Sequence, residues 1–435
     1  MVRSGSGLRD RYCIVGVGET EYSRWSGRTT LSMACEAIVT AAADAGIAVD
    51  EIDGLASHQA TAGDSCGNAE VASALGIRTN MGVDILGGGN SIGQLVAQSI
   101  ALIEAGYCET VAVWRSMNGR SGLRMGGGAA TRGGEAPRPQ PVATTGRGQY
   151  QVPFGIRGAP TIYAFEAMSY LQQYGYNTLH MADVAVTQRF AATLNPKATR
   201  REAISIDDHQ NSRWIAKPFR LLDCCQENDV AGALIVTSAE RAADLAQPPV
   251  YIMGGCARAS SHNPSWTWGR PNITEGWGSY VRERSFSSAG IGPEDVDIVT
   301  MYDNFTTTPM MYLEAFGFCG EGEGGDFVGG GRIHLDGELP QNTNGGQLSE
   351  GYAHGIGYLI ESARQLRGRT DDLCGGWRRG EHTYDRTLGC RQVLAREDRR
   401  RRARGEPVEH PSPPAVAFCA GGGGAQQGWT VVLRR

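Results

Sequence analysis

Two kinds of apolar run alternate along this chain. "RYCIVGVGETEYS" (11–23) and "PVYIMGGCARASS" (249–261) are nearly uninterrupted apolar stretches that run into glycine turns. Such runs predict strands covered on both faces. "SIGQLVAQSIALIEAG" (91–106) is apolar all round and predicts a helix buried between sheets. A longer pattern repeats: "AGIAVDEIDGLASH" (45–58) and "AGIGPEDVDIVTMYD" (289–303) share A-G-I-x-x-[DE]-x-[IV]-D at a spacing of 244 residues. Each predicts a helix end, an acidic turn and an apolar strand. The alternation predicts an α/β architecture, and the repeat predicts two similar halves, residues 1–247 and 248–435. Two segments interrupt it. Residues 118–160, rich in Gly, Arg and Pro, predict a long mobile loop or cap. Residues 396–414, "REDRRRRARGEPVEHPSPP", predict a disordered surface insertion.

Composition narrows the function classes. The 435 residues, 41% apolar and 20% charged, suit one large or two medium globular domains. A net charge of −5 gives no reason to expect nucleic-acid binding. No apolar run is long enough to span a membrane, and the N-terminal run is too short for a signal peptide. Eleven cysteines without a C-x-x-C pair suit a reduced cytoplasm. The histidines lack an H-E-x-x-H spacing, so no metal is expected. "GVGETE" (16–21) lacks the third glycine of a dinucleotide fingerprint. The 61 glycines predict tight turns and close backbone approaches. The 41 basic residues include only two lysines, Lys197 and Lys217, both expected on surface loops.

Several stretches carry a resemblance. "YGYNTLHMADVAVTQRFAATLNPKA", "ISIDDHQNSRWIAKPFRLLDCCQENDVAGALIV", "NTNGGQLSEGYAHGIG" and "CAGGGG" (419–424) resemble the thiolase family, in its sterol-carrier-protein-x branch. The resemblance runs from about residue 10 to 435 outside the two interruptions. It implies the thiolase fold: two similar α/β halves in a five-layered αβαβα arrangement, usually dimeric.

The departures from the family pattern bear on chemistry. Where thiolases carry a nucleophilic cysteine, this sequence reads "LGGGNSIGQLVAQ", with Gly89 near the nucleophile position. Cys66 and Cys108 lie some twenty residues away on either side. Without a thiolate in that turn no acyl-enzyme is expected. Loss of the thiol side chain is also expected to make room for a bulky tertiary β-carbon. Tyr352 stands at the histidine of the family's G-H-P-x-G turn, and Tyr302 of "YDNF" opens a further family motif. Cys419 matches the C-terminal cysteine. This set resembles the thiolase-like aldolases that cut steroid side chains in actinobacteria. The resemblance implies retro-aldol cleavage of a steroid β-hydroxyacyl-CoA, with a 17-hydroxy compound as the expected substrate, to a steroid ketone and propionyl-CoA. It also implies a homodimeric core working with a small OB-fold partner, since the 118–160 loop is too polar to enclose a sterol alone. Coenzyme A enters as part of the substrate, and no separate cofactor is implied.

A retro-aldol step needs a base for the β-hydroxyl, donors for the thioester enolate and an acid for its α-carbon. Tyr302 and Tyr352 are the acid/base candidates, with their order open. Backbone N–H groups at Gly89 and Gly421 are candidates for the oxyanion hole. His354 is a candidate to polarise a phenol or to touch CoA, and equally a satisfied loop histidine. Asp303 and Asn304 are expected to cap and orient the Tyr302 turn, and Asn344 opens the glycine turn before Tyr352. Cys419 either keeps an acid/base role or packs as a small apolar residue. Two competing functions remain open at this point: a thiolase or acetyltransferase using another cysteine, and a non-catalytic acyl-CoA-binding subunit.

Overall fold

The computed structural model describes residues 5–60, 63–89, 91–122, 149, 152–156, 158–260, 276–368, 415–422 and 427–435. Most of the 118–160 segment and all of 396–414 lie outside the described residues. The 118–160 boundaries also take in the last residue of a strand and the start of the helix Gly158–Tyr174.

The strands are β1 (Tyr12–Glu19), β2 (Gly54–Gln59), β3 (Met81–Leu86), β4 (Thr110–Asn118), β5 (Trp214–Ala216), β6 (Phe219–Arg220), β7 (Asp229–Ser238), β8 (Val250–Ser260), β9 (Ile298–Met301), β10 (Val416–Gly422) and β11 (Gln427–Arg434). β5 and β6 form a separate hairpin. The rest order as β3-β2-β4-β7-β1-β8-β11-β10-β9. Strand pairing across the junction of the halves joins Cys13 with Tyr251 and Ile14 with Val250.

Outward from that junction, the halves run alike. β1 is antiparallel to β7, β7 antiparallel to β4, and β4 parallel to β2. On the other side β8 is antiparallel to β11, β11 antiparallel to β10, and β10 parallel to β9. The repeated sequence has the same place in each. A helix ends on a left-handed glycine, Gly46 or Gly290, followed by a single 3-10 turn and then β2 or β9.

Helices complete five layers. Thr30–Ala45 covers the outer face of β1, β4 and β7, and Trp277–Ala289 covers β8 and β11. Between the strands of the two halves lie Ile92–Glu104 and Ile356–Arg367, each packed against strands of both. All eight residues of β1 are buried, as its apolar run predicts. The outer helix sits close because its contact face is Ala34, Ala37, Ala41, Ala42 and Ala45. A Cβ on Gly16 would lie 2.1 Å from the Ala41 carbonyl oxygen, so glycine is required there. No helix among the described residues is long and apolar enough to cross a membrane.

The two inner helices matter most for the site. One starts just after Gly89 and the other just after Tyr352 and His354. Their leading turns touch: a Cβ on Gly355 would lie 3.3 Å from the Gly89 carbonyl oxygen.

Candidate active site

Tyr302 follows the C-terminal end of β9, a usual place for ligand-facing residues in α/β sheets. Its phenol meets that of Tyr352 at 2.9 Å, and both side chains are buried. An ideal Cβ on Gly89 would lie 2.4 Å from the Tyr302 ring and 2.5 Å from its hydroxyl. The Tyr302 phenol therefore fills the space that a nucleophile side chain at 89 would need. The expectation that losing the thiol opens room for substrate is corrected here: the room is taken by the tyrosine.

Three loops build this wall, and two of them, the "LLDCC" and "NTNGGQLSEGYAHGIG" segments, carried the resemblance. The Tyr302 loop is anchored by Asp303. Its carboxylate accepts from the amides of Gln347 at 3.0 Å and Leu348 at 3.1 Å, and from the Tyr358 hydroxyl. Burial pushes the Asp303 carboxyl up to about 6 against the hydrogen bonds that hold it down. Asn304 Oδ1 accepts from the Phe305 amide and the Thr308 hydroxyl, so both residues orient the turn. The "LLDCC" segment joins in. The Cys225 amide donates to the Asn304 carbonyl, the Gln226 amide to Gln347, and Asp223 accepts from the Thr306 amide and hydroxyl. Asn228, a few residues on, accepts the Tyr352 amide at 3.1 Å. Asn344 accepts from the Gly346 amide and donates to buried Glu350, which holds the glycine turn.

The tyrosine pair lines a cavity of about 490 Å³. Its wall combines apolar groups, including Met117, Ile215, Leu222 and Phe305, with Arg24, Arg120, Arg200 and Arg213. Arg120 lies 3.6 Å from Glu227, and Arg200 donates to Gln226. Burial, with the cationic neighbours Arg24 and Arg120, lowers the pKa of Arg200. Like charges gathered at a pocket suit an anionic ligand, which relieves their repulsion.

Burial pushes both phenols well above their ordinary value near 10. Burial is the largest cause for each, and either hydroxyl of the pair can donate to the other. Cys224 and Cys225 also line the cavity. Burial and neighbouring acidic groups drive both thiols up, which leaves no ready thiolate. Cys66 and Cys108 are buried and do not line the cavity.

His354 packs edge-on against Tyr352, with ring centroids 4.8 Å apart, and its Nδ1 accepts from Arg115 Nε at 3.2 Å. Cys419 sits inside β10 with its thiol donating to Ser362 at 3.1 Å, and burial raises it to about 11. It does not line the cavity. Gly89 and Gly421 do not line it either. Both serve Trp429, which no motif in the sequence marks. The indole donates to the Gly89 carbonyl at 2.8 Å, and a Cβ on Gly421 would lie 2.4 Å from its ring. Lys197 departs from expectation: its ammonium pairs at 2.8 Å with buried Glu19, which also holds Arg364. Lys217 is in the β5–β6 turn, its ammonium over the Trp214 ring. Arg115, Asp64 and His58 were not singled out by sequence. Only a buried ion pair between distant segments identifies them. No group of three or more possible metal ligands occurs among the described residues.

Residues 260–374 match the thiolase C-terminal domain-like family. The chain is 36% identical over 371 residues to a steroid side-chain-cleaving aldolase of Thermomonospora curvata, covering 82% of this chain and 90% of the relative. It is 38% identical over 379 residues to the 17-hydroxy-3-oxo-4-pregnene-20-carboxyl-CoA lyase of Mycobacterium tuberculosis, covering 85% and 95%. A solved Ltp2-ChsH2(DUF35) aldolase superposes with a TM-score of 0.80 at 31% identity over 98% of each chain. Human mitochondrial 3-ketoacyl-CoA thiolase superposes with a TM-score of 0.60 at 14% identity, a likeness of fold alone.

Proposed function

Since this chain belongs to the thiolase-like steroid side-chain-cleaving aldolases, we propose that it cleaves a 17-hydroxy steroid side-chain β-hydroxyacyl-CoA to a steroid ketone and propionyl-CoA. The observation that carries the reading is the Tyr302 phenol standing in the nucleophile's space, bonded to Tyr352 at the cavity wall. Tyr352 is the base. Reacting from its ionised form, it takes the β-hydroxyl proton, the Cα–Cβ bond breaks, and the β-carbon becomes the ketone. The electron pair passes to the thioester enolate. Tyr302 then protonates the enolate α-carbon, and the proton on Tyr352 returns to Tyr302 along their shared hydrogen bond. The place of Tyr352 against the His354 ring, with the Arg115 cation behind that ring, supports this order.

The enolate forms beside the leading turns of both inner helices, whose positive ends favour an anion. Any part played by the Gly89 and Gly421 amides acts from behind Tyr302 and Trp429. Arginines of the cavity wall would take the CoA phosphates. Asp303, Asn344 and His354 hold the tyrosine loops, and Cys419 packs within its strand. The chemistry asks for no cofactor beyond the CoA carried by the substrate. We further propose two halves, 1–247 and 248–435, a homodimeric core with a small OB-fold partner, and a cytoplasmic setting. The solved aldolase with a DUF35 component supports the partner.

The test is incubation with a 17-hydroxy steroid side-chain acyl-CoA, with and without such a partner. Ketone and propionyl-CoA should appear in equal amounts. A cysteine-bound acyl adduct, or no product under either condition, would overturn the reading.

A further inference from the structure

Resting on the tyrosine mechanism above, we propose that Arg115, clamped by Asp64, is a positioning residue for the retro-aldol step. Through His354 it holds Tyr352 toward Tyr302 and supplies the positive charge against which Tyr352 gives up its proton.

The geometry is specific. Arg115 lies on β4 and is 1% exposed. Its Nη1 and Nη2 reach the two Asp64 carboxylate oxygens at 3.2 and 2.9 Å. Nη1 also donates to the carbonyls of His58 at 3.1 Å and Ser116 at 3.0 Å, and Nε donates to His354 Nδ1. The planar fork is thus fixed on all sides. A guanidinium donating to Nδ1 sets the tautomer: His354 is neutral with its proton on Nε2. Burial and the Arg115 charge keep it neutral. The ring is further held by a left-handed backbone, with φ of 52°. His58 also packs against it, centroid to centroid 5.6 Å. Neither ring nitrogen of His58 has a hydrogen-bond partner among the described residues.

Stability alone does not account for this arrangement. A buried Arg–Asp pair loses its hydration, and well-packed apolar groups of similar volume are often as stabilising. What the pair does supply is a fixed cation one ring away from a phenol that must ionise. Burial sets Tyr352 against ionising, and Cys225 and Tyr163 face it and add to that, while the Arg115 charge works the other way. His354, being neutral, transmits position without adding a charge of its own.

The experiment compares kcat, KM and the pH profile of kcat for the full chain, with its partner where activity requires one. The double variant Arg115→Met/Asp64→Asn removes both charges and keeps the approximate volume. It should leave KM within about twofold and lower kcat about tenfold or more. The rising limb of kcat should move up by about one pH unit, because the base has lost its opposing charge. Arg115→Lys keeps the charge but not the fork. It should lower kcat while leaving that limb in place. A folded double variant with the parent kcat and limb overturns the proposal. If the double variant does not fold, Arg115→Lys decides: reduced kcat at an unchanged melting temperature supports the role, and parent kcat overturns it. Tyr352→Phe is the reference. An inactive Tyr352→Phe beside an unaffected Arg115 pair refutes only the Arg115 role. Full activity in Tyr352→Phe refutes the tyrosine mechanism itself.

Discussion

His58 and Tyr302 occupy matching places in the two halves. The 244-residue offset that aligns the repeated sequences carries one onto the other, and they stand at the ends of β2 and β9. Both are buried, and both belong to a chain of ring contacts through Tyr352 and His354. Yet only Tyr302 lines the cavity. The next residue in each half makes the difference. After Tyr302 comes Asp303, whose carboxylate clips the loop to two backbone amides and Tyr358. After His58 comes Gln59, which ends β2 and accepts from the Gly63 amide in the adjoining turn. A duplicated fold delivers two equivalent strand ends to its middle. The loop anchors decide which of them faces the cavity.

The largest effect should come from the cavity-facing end. Tyr302→Phe and Tyr352→Phe should each lower turnover about a hundredfold or more, the usual weight of one positioned acid or base, as read by ketone release. Parent-level turnover in both would break the contrast between the two strand ends. Gly89→Ala comes next. The added methyl forces the Tyr302 ring aside and should cost about ten- to a hundredfold in kcat, since small misplacements of a reacting group are expensive. Gly89→Cys should not yield a thioester adduct by mass spectrometry, because Tyr302 occupies the thiol's space.

Glu19 tests a different layer. It ends β1, and Arg364 of the second inner helix pairs with it. Burial works to raise its carboxyl, but Arg364 and Lys197 prevail and hold it at about 2. A value below the ordinary 4.5 means its stabilising contribution is full above that pH. The contribution drains as pH falls toward 2. Glu19→Gln should therefore flatten that part of the acid-unfolding curve and cost about 3 kcal/mol near pH 7, as for a broken buried pair. A parent-like acid limb in the variant would show that the anchor is not electrostatic. Cys419→Ala should leave kcat nearly unchanged and cost about 1 kcal/mol in denaturant unfolding, the net worth of its bond to Ser362 and the lost packing. Smallest of all, Lys197→Arg and Lys217→Arg should keep turnover within about twofold, since neither amine reaches the tyrosines and no Schiff base is required. A borohydride-trapped lysine adduct would contradict that.

Much was legible in the residues themselves. Uninterrupted apolar runs identified β1 and β8 because strands covered on both faces have no solvent side to alternate with. The A-G-I repeat located the equivalent helix–turn–strand units because helix termination at glycine and the acidic turn are local chemistry. Gly89, Tyr302 and Tyr352 stood out because motif positions persist in order along the chain. What the chain could not disclose depends on groups far apart in sequence. That the Tyr302 ring fills the space over Gly89 results from how the inner helix and β9 pack. Trp429, more than three hundred residues from Gly89, fixes that turn through a single indole bond. The Arg115–Asp64 pair and His354 come from three separate segments, and nothing in their spacing announces them. Local conformational preference and hydrophobic period were written in the sequence. Which polar side chains meet, and with what charge, was decided only when the strands of the two halves closed on the helices between them, because burial and distance, not residue type, set those interactions.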